Sequence, residues 1–231
     1  EYSITVKSVG CAYDYDIDEV ASAQMSGMPL EARKAMAARR GYEEYVNDAV
    51  WSGDATAGFV GLFAHPNIAH NPVVAGAATT TTWATKTPDE IIKDLNSACG
   101  AMYAATKKIH APTELWLPVL QWNYIASTPR SAMSDTTILD FWCNNNQFGI
   151  KKGAVKALNA IDGKGDAGSD CFIVLAKTTP EGTQTVRIRE PLPLQFLPVQ
   201  LHGLVYEVPG RGRFAGLEVT YPRAIDIWYG I

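Results

Sequence analysis

Between Met28 and Trp51, apolar residues recur at steps of three and four, which is the period of an amphipathic helix. They form one stripe along the predicted helix: Ala35, Ala38, Tyr42, Tyr45 or Val46, and Ala49. Pro29 suits the first helical position, and Gly53 is placed to end the helix. At about 1.5 Å per residue the helix measures roughly 30 Å or more, so it can span a whole domain.

The polar face of this helix carries charges in a regular arrangement. Arg39 and Glu43 are spaced for an ion pair between residues four apart, and so are Arg40 and Glu44. Each exposed pair contributes a few tenths of a kcal/mol at most. These charges therefore mark the solvent side of the helix.

A capping box predicts a second helix. In Thr87-Pro88-Asp89-Glu90 the threonine hydroxyl can accept a hydrogen bond from the Glu90 amide, while the Glu90 side chain reaches back. Pro88 suits the first turn of a helix. The predicted helix runs to about Lys108, and its buried stripe consists of Ile91 or Ile92, Leu95, Ala98 or Cys99, and Met102.

Runs of β-branched, aromatic and aliphatic residues predict the strands. One or two strands are predicted over residues 2–15, and single strands over residues 113–117, 203–208 and 214–221. Residues 171–175 and 185–189 are predicted to pair as a hairpin around Thr179-Pro180-Glu181-Gly182. The next stretch must be extended and non-central, because three prolines interrupt it: Pro191, Pro193 and Pro198.

Shorter helices complete a mixed α+β pattern. One is predicted to begin at Asp16, one covers residues 119–127, and one covers residues 136–147 with Ser134 or Asp135 as its cap. Between the two long helices, residues 53–83 are rich in Gly, Pro, Asn and Thr and are predicted to form a loop.

The composition allows one large domain or two modest ones. Of the 231 residues, 47% are hydrophobic and only 19% are charged, so we expect a polar but sparsely charged surface. Such a surface fits extensive contact with neighbouring molecules, and it fits many enzymes too. The net charge of −4 argues against a dedicated nucleic-acid binder, which has a basic patch. It is compatible with a container for nucleic acid.

The four cysteines form no Cys-x-x-Cys pair. Cys99 and Cys171 lie in apolar patterns and are predicted to be buried. Together with Cys11 and Cys143 they show no disulfide framework, so we expect reduced thiols and synthesis in the cytoplasm.

Three motifs suggest chemistry, but a simpler interpretation is favoured for each. His65 and His70 are five residues apart, whereas metal-binding histidines on a helix are three or four apart, so we expect hydrogen-bonded loop histidines. Asp162-Gly163-Lys164-Gly165-Asp166 lacks the closing glutamate of a calcium loop, which favours a solvated turn. Gly210-Arg211-Gly212-Arg213 lacks the ending of a phosphate-binding loop and opens no helix, which favours a charged turn.

No residue is predicted to be catalytic, to bind a cofactor or to bind a metal. The sequence contains no nucleophile-elbow or zinc-protease motif, although a Ser/His/acid triad assembles only in space and stays open. The aromatic residues are expected to be core fillers first and anchors between subunits second. They include Trp116, Trp122, Tyr124 and Trp142.

Several segments, in this order, resemble the tailed-bacteriophage major capsid protein family, in its encapsulin-related subgroup. The helix from Pro29 to Trp51 resembles that family's spine helix. Trp51-Ser52-Gly53-Asp54 and Gly61-Leu62-Phe63-Ala64-His65-Pro66-Asn67 resemble the segment after it, and residues 85–94 resemble the start of the next helix. The other matching segments are Leu115-Trp116-Leu117-Pro118, Tyr221-Pro222 and Tyr229-Gly230-Ile231.

The resemblance implies a Hong Kong 97-like α+β fold with two domains. A peripheral domain is expected over residues 1–52 and 191–231, including the spine helix at 29–51, and an axial domain over residues 53–190. The family's N-terminal arm and extended loop, which embrace neighbouring subunits, are expected to be missing upstream of residue 1. We therefore expect this chain to fold alone but to associate weakly.

The resemblance also implies a structural protein and not an enzyme. Its subunits are expected to self-assemble into an icosahedral phage head that encloses double-stranded DNA. The implied partners are other copies in pentamers and hexamers, with scaffold, decoration and portal proteins as further candidates. Packaged DNA is expected to touch the shell only by non-specific proximity, and neither a cofactor nor a membrane is expected. The implied location is the virion, after assembly in the cytoplasm of the bacterial host.

Two other functions stay open. An encapsulin-type nanocompartment shares the fold but encloses an enzyme instead of a genome. A small-molecule enzyme with a site in the loop at 53–83 would require a deep pocket with converging polar groups.

Overall fold

The computed structural model describes residues 4–231, apart from the side chain of Ala167. Its α-helices are α1 (Ile17–Ser26), α2 (Leu30–Trp51), α3 (Pro88–Ala105), α4 (Val119–Ser127) and α5 (Ile138–Asn145). The first seven strands are β1 (Lys7–Asp16), β2 (Gly53–Asp54), β3 (Phe59–Val60), β4 (Ala69–Pro72), β5 (Glu114–Leu117), β6 (Val155–Ala157) and β7 (Cys171–Leu175). The remaining strands are β8 (Val186–Ile188), β9 (Leu192–Phe196), β10 (Gln200–His202), β11 (Val205–Phe214), β12 (Leu217–Val219) and β13 (Ile225–Tyr229).

The chain divides into two compact units. Unit 1 comprises Glu1–His65 and Arg187–Glu218, and unit 2 comprises Pro66–Val186 and Val219–Ile231. The division predicted from the sequence ended the first segment at residue 52 and placed residues 191–231 together. In the structure the last thirteen of those residues, 219–231, belong to unit 2 because β13 lies inside its sheet.

Unit 1 is built from a sheet with α2 packed on one face. β1 pairs with β11 along its whole length, from Lys7 opposite Phe214 to Asp16 opposite Val205, while β9 and β10 pair with the other edge of β11. The predicted strand at 2–15 is thus confirmed from Lys7 onward, and residues 1–3 lie outside the described part of the chain. β9 is an edge strand, as its prolines predicted.

The apolar stripe of α2 is confirmed by its burial. Tyr42 is only 6% exposed, Ala49 and Val50 are also buried, and the stripe faces the sheet. The Tyr42 hydroxyl donates to Glu190 Oε1 at 2.7 Å, which gives its polar end a partner. A Cβ atom on Gly212 would lie 2.9 Å from this hydroxyl, so the glycine makes room for the tyrosine.

The ends of α2 differ in detail from the predictions. Pro29 is the N-cap rather than the first helical residue, and Ser52 is the C-cap. Gly53 follows with a positive φ of 82° and opens the short β2–β3 hairpin. A Cβ atom on Gly61 would lie 2.3 Å from the Gly53 backbone nitrogen, so only a residue without a side chain fits at this position.

Unit 2 is built around a five-stranded sheet in the order β4-β13-β7-β5-β6. β7 is buried at every position and lies between β13 and β5, both antiparallel to it. α3 contacts this sheet through its predicted stripe, in which Ile91, Leu95, Ala98, Cys99 and Met102 are all fully buried. The main core of the protein lies here.

The capping box at the start of α3 is confirmed. The Thr87 amide donates to Glu90 Oε2 at 2.9 Å, and both halves of the box are present. The helix ends at Ala105, three residues before the predicted end, because Lys107 and Lys108 adopt positive φ angles. α4 has the predicted bounds.

One predicted turn and one predicted helix cap are wrong. Gly210-Arg211-Gly212-Arg213 is part of β11 and not a turn, since its small residues face Cys11 and Tyr42 while its arginines face outward. α5 begins two residues later than predicted. Its cap is Thr137, whose Oγ1 accepts from the Asp140 amide at 3.2 Å, and neither Ser134 nor Asp135 caps it.

The predicted hairpin between residues 171–175 and 185–189 does not form. The turn exists, with the Gly182 amide donating to the Thr179 carbonyl at 2.9 Å, but only Thr178 and Gln184 form a bridge beyond it. β7 instead pairs with β13 and β5, and β8 pairs with β12. β7 is fully apolar, and in the sheet interior both of its faces are buried and both of its edges are paired, whereas β8, which contains an arginine, is only partly buried.

The strands near the C-terminus also differ from the predictions. β11 continues through Phe214, six residues beyond the predicted end of the first strand, and the second predicted strand is confirmed as the shorter β12. β13 was not predicted, because Asp226 interrupts its apolar pattern. Asp226 is nevertheless buried, and burial raises its pKa to about 6. The loop at 53–83 contains the short strands β2, β3 and β4.

Candidate assembly surfaces

The two candidate histidines lie on different elements. His65 is half-buried in the loop after β3, and burial lowers its pKa. His70 is exposed on β4, where it lies opposite Ile227 of β13. Within residues 4–231, no three His, Cys, Asp or Glu side chains are grouped so that they could hold a metal ion.

Residues 162–166 form a turn that is hydrogen-bonded to the side chain of Asp170. Its Gly163 amide donates to Asp170 Oδ1 at 3.0 Å, and Gln121 Nε2 donates to Asp170 Oδ2 at 3.3 Å. Burial and the nearby Asp170 carboxylate raise the pKa of Asp162. Asp170 was not singled out in the sequence, and its oxygens stabilise the turn.

The predicted aromatic core fillers are in the core. Trp142 is buried and donates from Nε1 to Asn96 Oδ1 at 2.9 Å, while Trp122 and Tyr124 are partly buried against the same core. Trp116 is half-buried and donates to Glu114 Oε2 at 3.0 Å. None of these four is a freely exposed anchor.

Cys99 and Cys171 are buried as predicted, and all four cysteines are free. Burial raises the pKa of Cys99 to about 12 and that of Cys171 to about 12 as well, with nearby Asp170 contributing to the latter. The thiols are therefore packing groups rather than nucleophiles.

A cavity of about 440 Å³ lies beside the second half of the loop at 53–83, within unit 2. Its innermost charges, Lys86 and Asp94, form an ion pair at 2.6 Å, with 1% and 9% of the two side chains exposed. Trp83 Nε1 also donates to Asp94, and Lys86 Nζ donates to the Val74 carbonyl. These polar groups are engaged with one another and hold the loop against α3.

Unit 1 exposes apolar side chains on the segment from 197 to 204, which we call the apolar hairpin segment. Every residue in it is exposed, and Leu204 at its turn is 72% exposed. Leu197, Val199 and Leu201 recur every second residue, which is the spacing of one strand face. An exposed apolar group of this kind is typical of a protein–protein contact.

α1 lies next to this segment, because the Ile17 amide donates to the Leu204 carbonyl at 3.3 Å. The helix has ten residues, and none of them is buried. Helices this short are marginal without packing partners. Met25 on α1 and Met36 on α2 are also exposed, and such flexible apolar side chains adapt to a partner surface.

Unit 2 exposes a smaller number of apolar side chains, among them Leu120 on α4 and Met133, whose side chain is fully exposed. Neither these residues nor the apolar hairpin segment was predicted from the sequence to be functional. The alternation of Leu197, Val199 and Leu201 was a usable signal. Among the described helices, none combines the length and apolar character that crossing a membrane requires.

A family model described as "Major capsid protein" matches residues 2–231 of this chain. None of the curated proteins compared with the chain matches it.

Solved structures with a similar fold include several particle shells. The capsid of Myoviridae phage XM1 superposes with a TM-score of 0.78 at 16% identity, covering 99% of this chain and 74% of that one. The capsid of a native GTA particle has a TM-score of 0.63 at 15% identity, covering 98% and 73%. The SrpI encapsulin of Synechococcus elongatus PCC 7942 has a TM-score of 0.50 at 10% identity, covering 98% and 74%.

Proposed function

This chain belongs to the major capsid protein family, and from that premise we propose that it builds the protein shell of a tailed-phage head. It has the Hong Kong 97-like fold of mixed helices and strands that the sequence motifs predicted. The observation that carries the proposal is the match of the family model to residues 2–231, because it extends over nearly the whole chain.

Many copies assemble into pentamers and hexamers, and these close into an icosahedral shell around double-stranded DNA. The exposed apolar surfaces of unit 1 support this, since they are available for contact with further copies. In a closed shell each subunit is held by several neighbours at once, so individually modest contacts add up to a stable particle. The particle is the virion, assembled in the cytoplasm of the bacterial host.

The subunit acts as a building block and not as an enzyme. His65 and His70 lie on different elements. The turn at 162–166 is hydrogen-bonded to Asp170, and Lys86 forms an ion pair with Asp94. Scaffold, decoration and portal proteins are its further partners. DNA lies against the shell without sequence recognition.

The two compact units correspond to the two domains of the family. Unit 1 contains α2 and the sheet on which it packs, and it serves as the peripheral domain with α2 as the spine helix. Unit 2 contains the larger core and serves as the axial domain.

An encapsulin-type nanocompartment is the second candidate function, favoured by the similarity to the SrpI shell. That similarity is weaker than the similarity to the phage XM1 capsid, with TM-scores of 0.50 and 0.78. The phage head is therefore the preferred function.

Electron microscopy of the purified product of the complete gene tests the proposal. We expect closed shells when it is expressed with the neighbouring head genes, and nuclease-protected DNA in particles from induced host cells. Protected protein cargo without DNA would favour the nanocompartment. Small oligomers across all salt and protein concentrations would contradict shell formation itself.

A matched pair of variants tests the apolar hairpin segment as a contact between copies. Leu204→Asp places a charge on an exposed apolar side chain, so we expect a folded subunit that assembles poorly. Gln200→Asp adds the same charge at an exposed polar position four residues earlier, and we expect a milder defect. Assembly by Leu204→Asp as efficient as that of the unmodified protein would remove this segment from the interface.

A further inference from the structure

Unit 2 contains an open cavity of about 530 Å³ next to the turn that follows α3. Three side chains that carry or can carry positive charge line it: Lys107, His110 and Arg223. No carboxylate is found among the described residues of its lining. The cavity near the start of α3 differs, because Glu90 and Asp94 accompany its lysines. The cavity beside Lys107 is therefore suited to an anion.

The backbone at this cavity adopts an unfavourable conformation. Lys107 and the adjacent Lys108 have φ angles of 53° and 67°, in the left-handed region where helices commonly end with glycine. The Lys107 amide donates to the Ala104 carbonyl at 3.0 Å, and the Lys108 amide donates to the Tyr103 carbonyl at 2.8 Å, so the turn is held in place. The backbone penalty at two such residues exceeds the gain from placing lysines at a helix C-terminus. Of these two lysines, Lys107 lines the cavity.

His110 has a ring nitrogen that lacks a hydrogen-bond partner within residues 4–231. Its Nδ1 is buried and forms no hydrogen bond with the described residues. Its ring lies against Tyr221, with 5.3 Å between the ring centroids. Glu181 lies near the histidine but does not line the cavity, and its pKa is lowered by Thr179 first and to a smaller extent by His110. A buried nitrogen without a partner is costly, and an anionic oxygen would accept a hydrogen bond from its N–H form once the ring turns toward the cavity.

We propose that this cavity, lined by Lys107, His110 and Arg223, binds a phosphate group. Phosphate offers several strong acceptor oxygens, which suit the fork of an arginine and the point charge of a lysine together. The Tyr221 ring adds an apolar face beside the cations, where a sugar or a base can lie. Inorganic phosphate and the backbone of nucleic acid share this chemistry. All the residues belong to one unit of one subunit, so the site does not depend on shell assembly.

Calorimetric titration of the intact chain with inorganic phosphate at constant ionic strength tests the site. We expect saturable binding to the unmodified protein. Arg223→Gln should bind about tenfold more weakly, because a charge-assisted hydrogen bond is lost. Lys107→Gly should also weaken binding without lowering the melting temperature, because glycine adopts the left-handed conformation freely.

Lys151→Gln is the matched control. Lys151 is an exposed lysine of the same unit that does not line the cavity, so its removal changes the net charge equally. Its phosphate affinity should equal that of the unmodified protein. Equal weakening by Lys151→Gln and Arg223→Gln, or no saturable binding at all, would overturn the site.

Competition with a short DNA duplex identifies the source of the phosphate. Displacement of bound phosphate by DNA supports the nucleic-acid backbone as the ligand, and retention of bound phosphate supports the free anion. Association of copies that depends on Arg223 while phosphate does not bind would overturn the proposal and assign the cavity to an acidic segment of a second copy.

Discussion

Lys86 is predicted to stabilise unit 2 by neutralising Asp94, and its replacement should reveal this in a pH-dependent way. The Lys86 ammonium lies 2.6 Å from Asp94 Oδ2, and both side chains are shielded from solvent. Lys86→Met keeps most of the volume of the side chain but leaves the carboxyl of Asp94 buried without its counter-charge. Removing one member of a buried ion pair typically costs ~3–5 kcal/mol of unfolding free energy.

Protonation of Asp94 sets an upper limit on this cost. In the unmodified protein, burial raises the Asp94 pKa and Lys86 opposes that rise. Without Lys86 the folded-state pKa rises further, so the folded variant binds the proton more tightly than the unfolded chain does. Each pKa unit corresponds to about 1.4 kcal/mol, so protonating an aspartate of ordinary pKa 3.8 costs about 4 kcal/mol at pH 7 and about 1.6 kcal/mol at pH 5. The destabilisation should therefore shrink as the pH falls from 7 to 5.

Urea unfolding of the unassembled subunit at pH 7 and pH 5, followed by circular dichroism, measures these free energies. Lys86→Met combined with Asp94→Asn should lie within about 1 kcal/mol of the unmodified protein, because no buried charge remains. It should also lose the additional pH dependence of the single variant. Lys93→Met, at an exposed lysine of α3, should change stability by less than about 0.5 kcal/mol. A cost for Lys86→Met below about 1 kcal/mol at pH 7, or an equal cost at both pH values, would refute this reasoning.

Three further predictions concern the local packing, and thermal or urea unfolding measures each of them. Tyr42→Asp should destabilise the protein by several kcal/mol because it buries a charge against the sheet, while Glu44→Gln on the exposed face should be nearly neutral; equal melting temperatures would show that the buried face is wrongly assigned. Thr87→Ala should cost about 1 kcal/mol because it removes the hydroxyl half of the capping box of α3, and an unchanged stability would show that the box contributes nothing. Gly61→Ala should unfold unit 1 or lower its yield, because the added carbon would overlap the backbone of the β2–β3 hairpin. Gly41→Ala, in open space on α2, should stabilise the protein by up to about 1 kcal/mol. A more stable Gly61→Ala than Gly41→Ala variant would contradict the packing at the hairpin.

The helices were largely predictable from the sequence because their signals are local. The stripe of α2, the Thr87–Glu90 capping box and the bounds of α4 each depend on residues within a few positions of one another. The ion pairs Arg39–Glu43 and Arg40–Glu44 form at 3.0 and 2.9 Å for the same reason. The order of short matching segments was enough to indicate the family and the fold, which the family match and the similar shells confirm.

Strand pairing was less predictable because the partners are far apart in the sequence. The apolar run of β7 indicated a buried strand, but its neighbours β13 and β5 lie fifty or more positions away on either side. The sequence instead favoured the nearest strand across a plausible turn. Asp226 concealed β13, since an ionisable side chain is costly to bury and its presence in the segment argued against a buried strand.

The sequence by itself determined the long helices, their buried faces and the α+β class, because periodicity and capping act over a few residues. Only the tertiary structure decided which strands meet, that residues 219–231 complete unit 2, and that Lys107, His110 and Arg223 line one cavity. Some of these arrangements join segments more than a hundred residues apart, such as β1 with β11 and His110 with Arg223. Their free energy comes from burying apolar surface between remote parts of the chain, and no local pattern records which remote parts will meet.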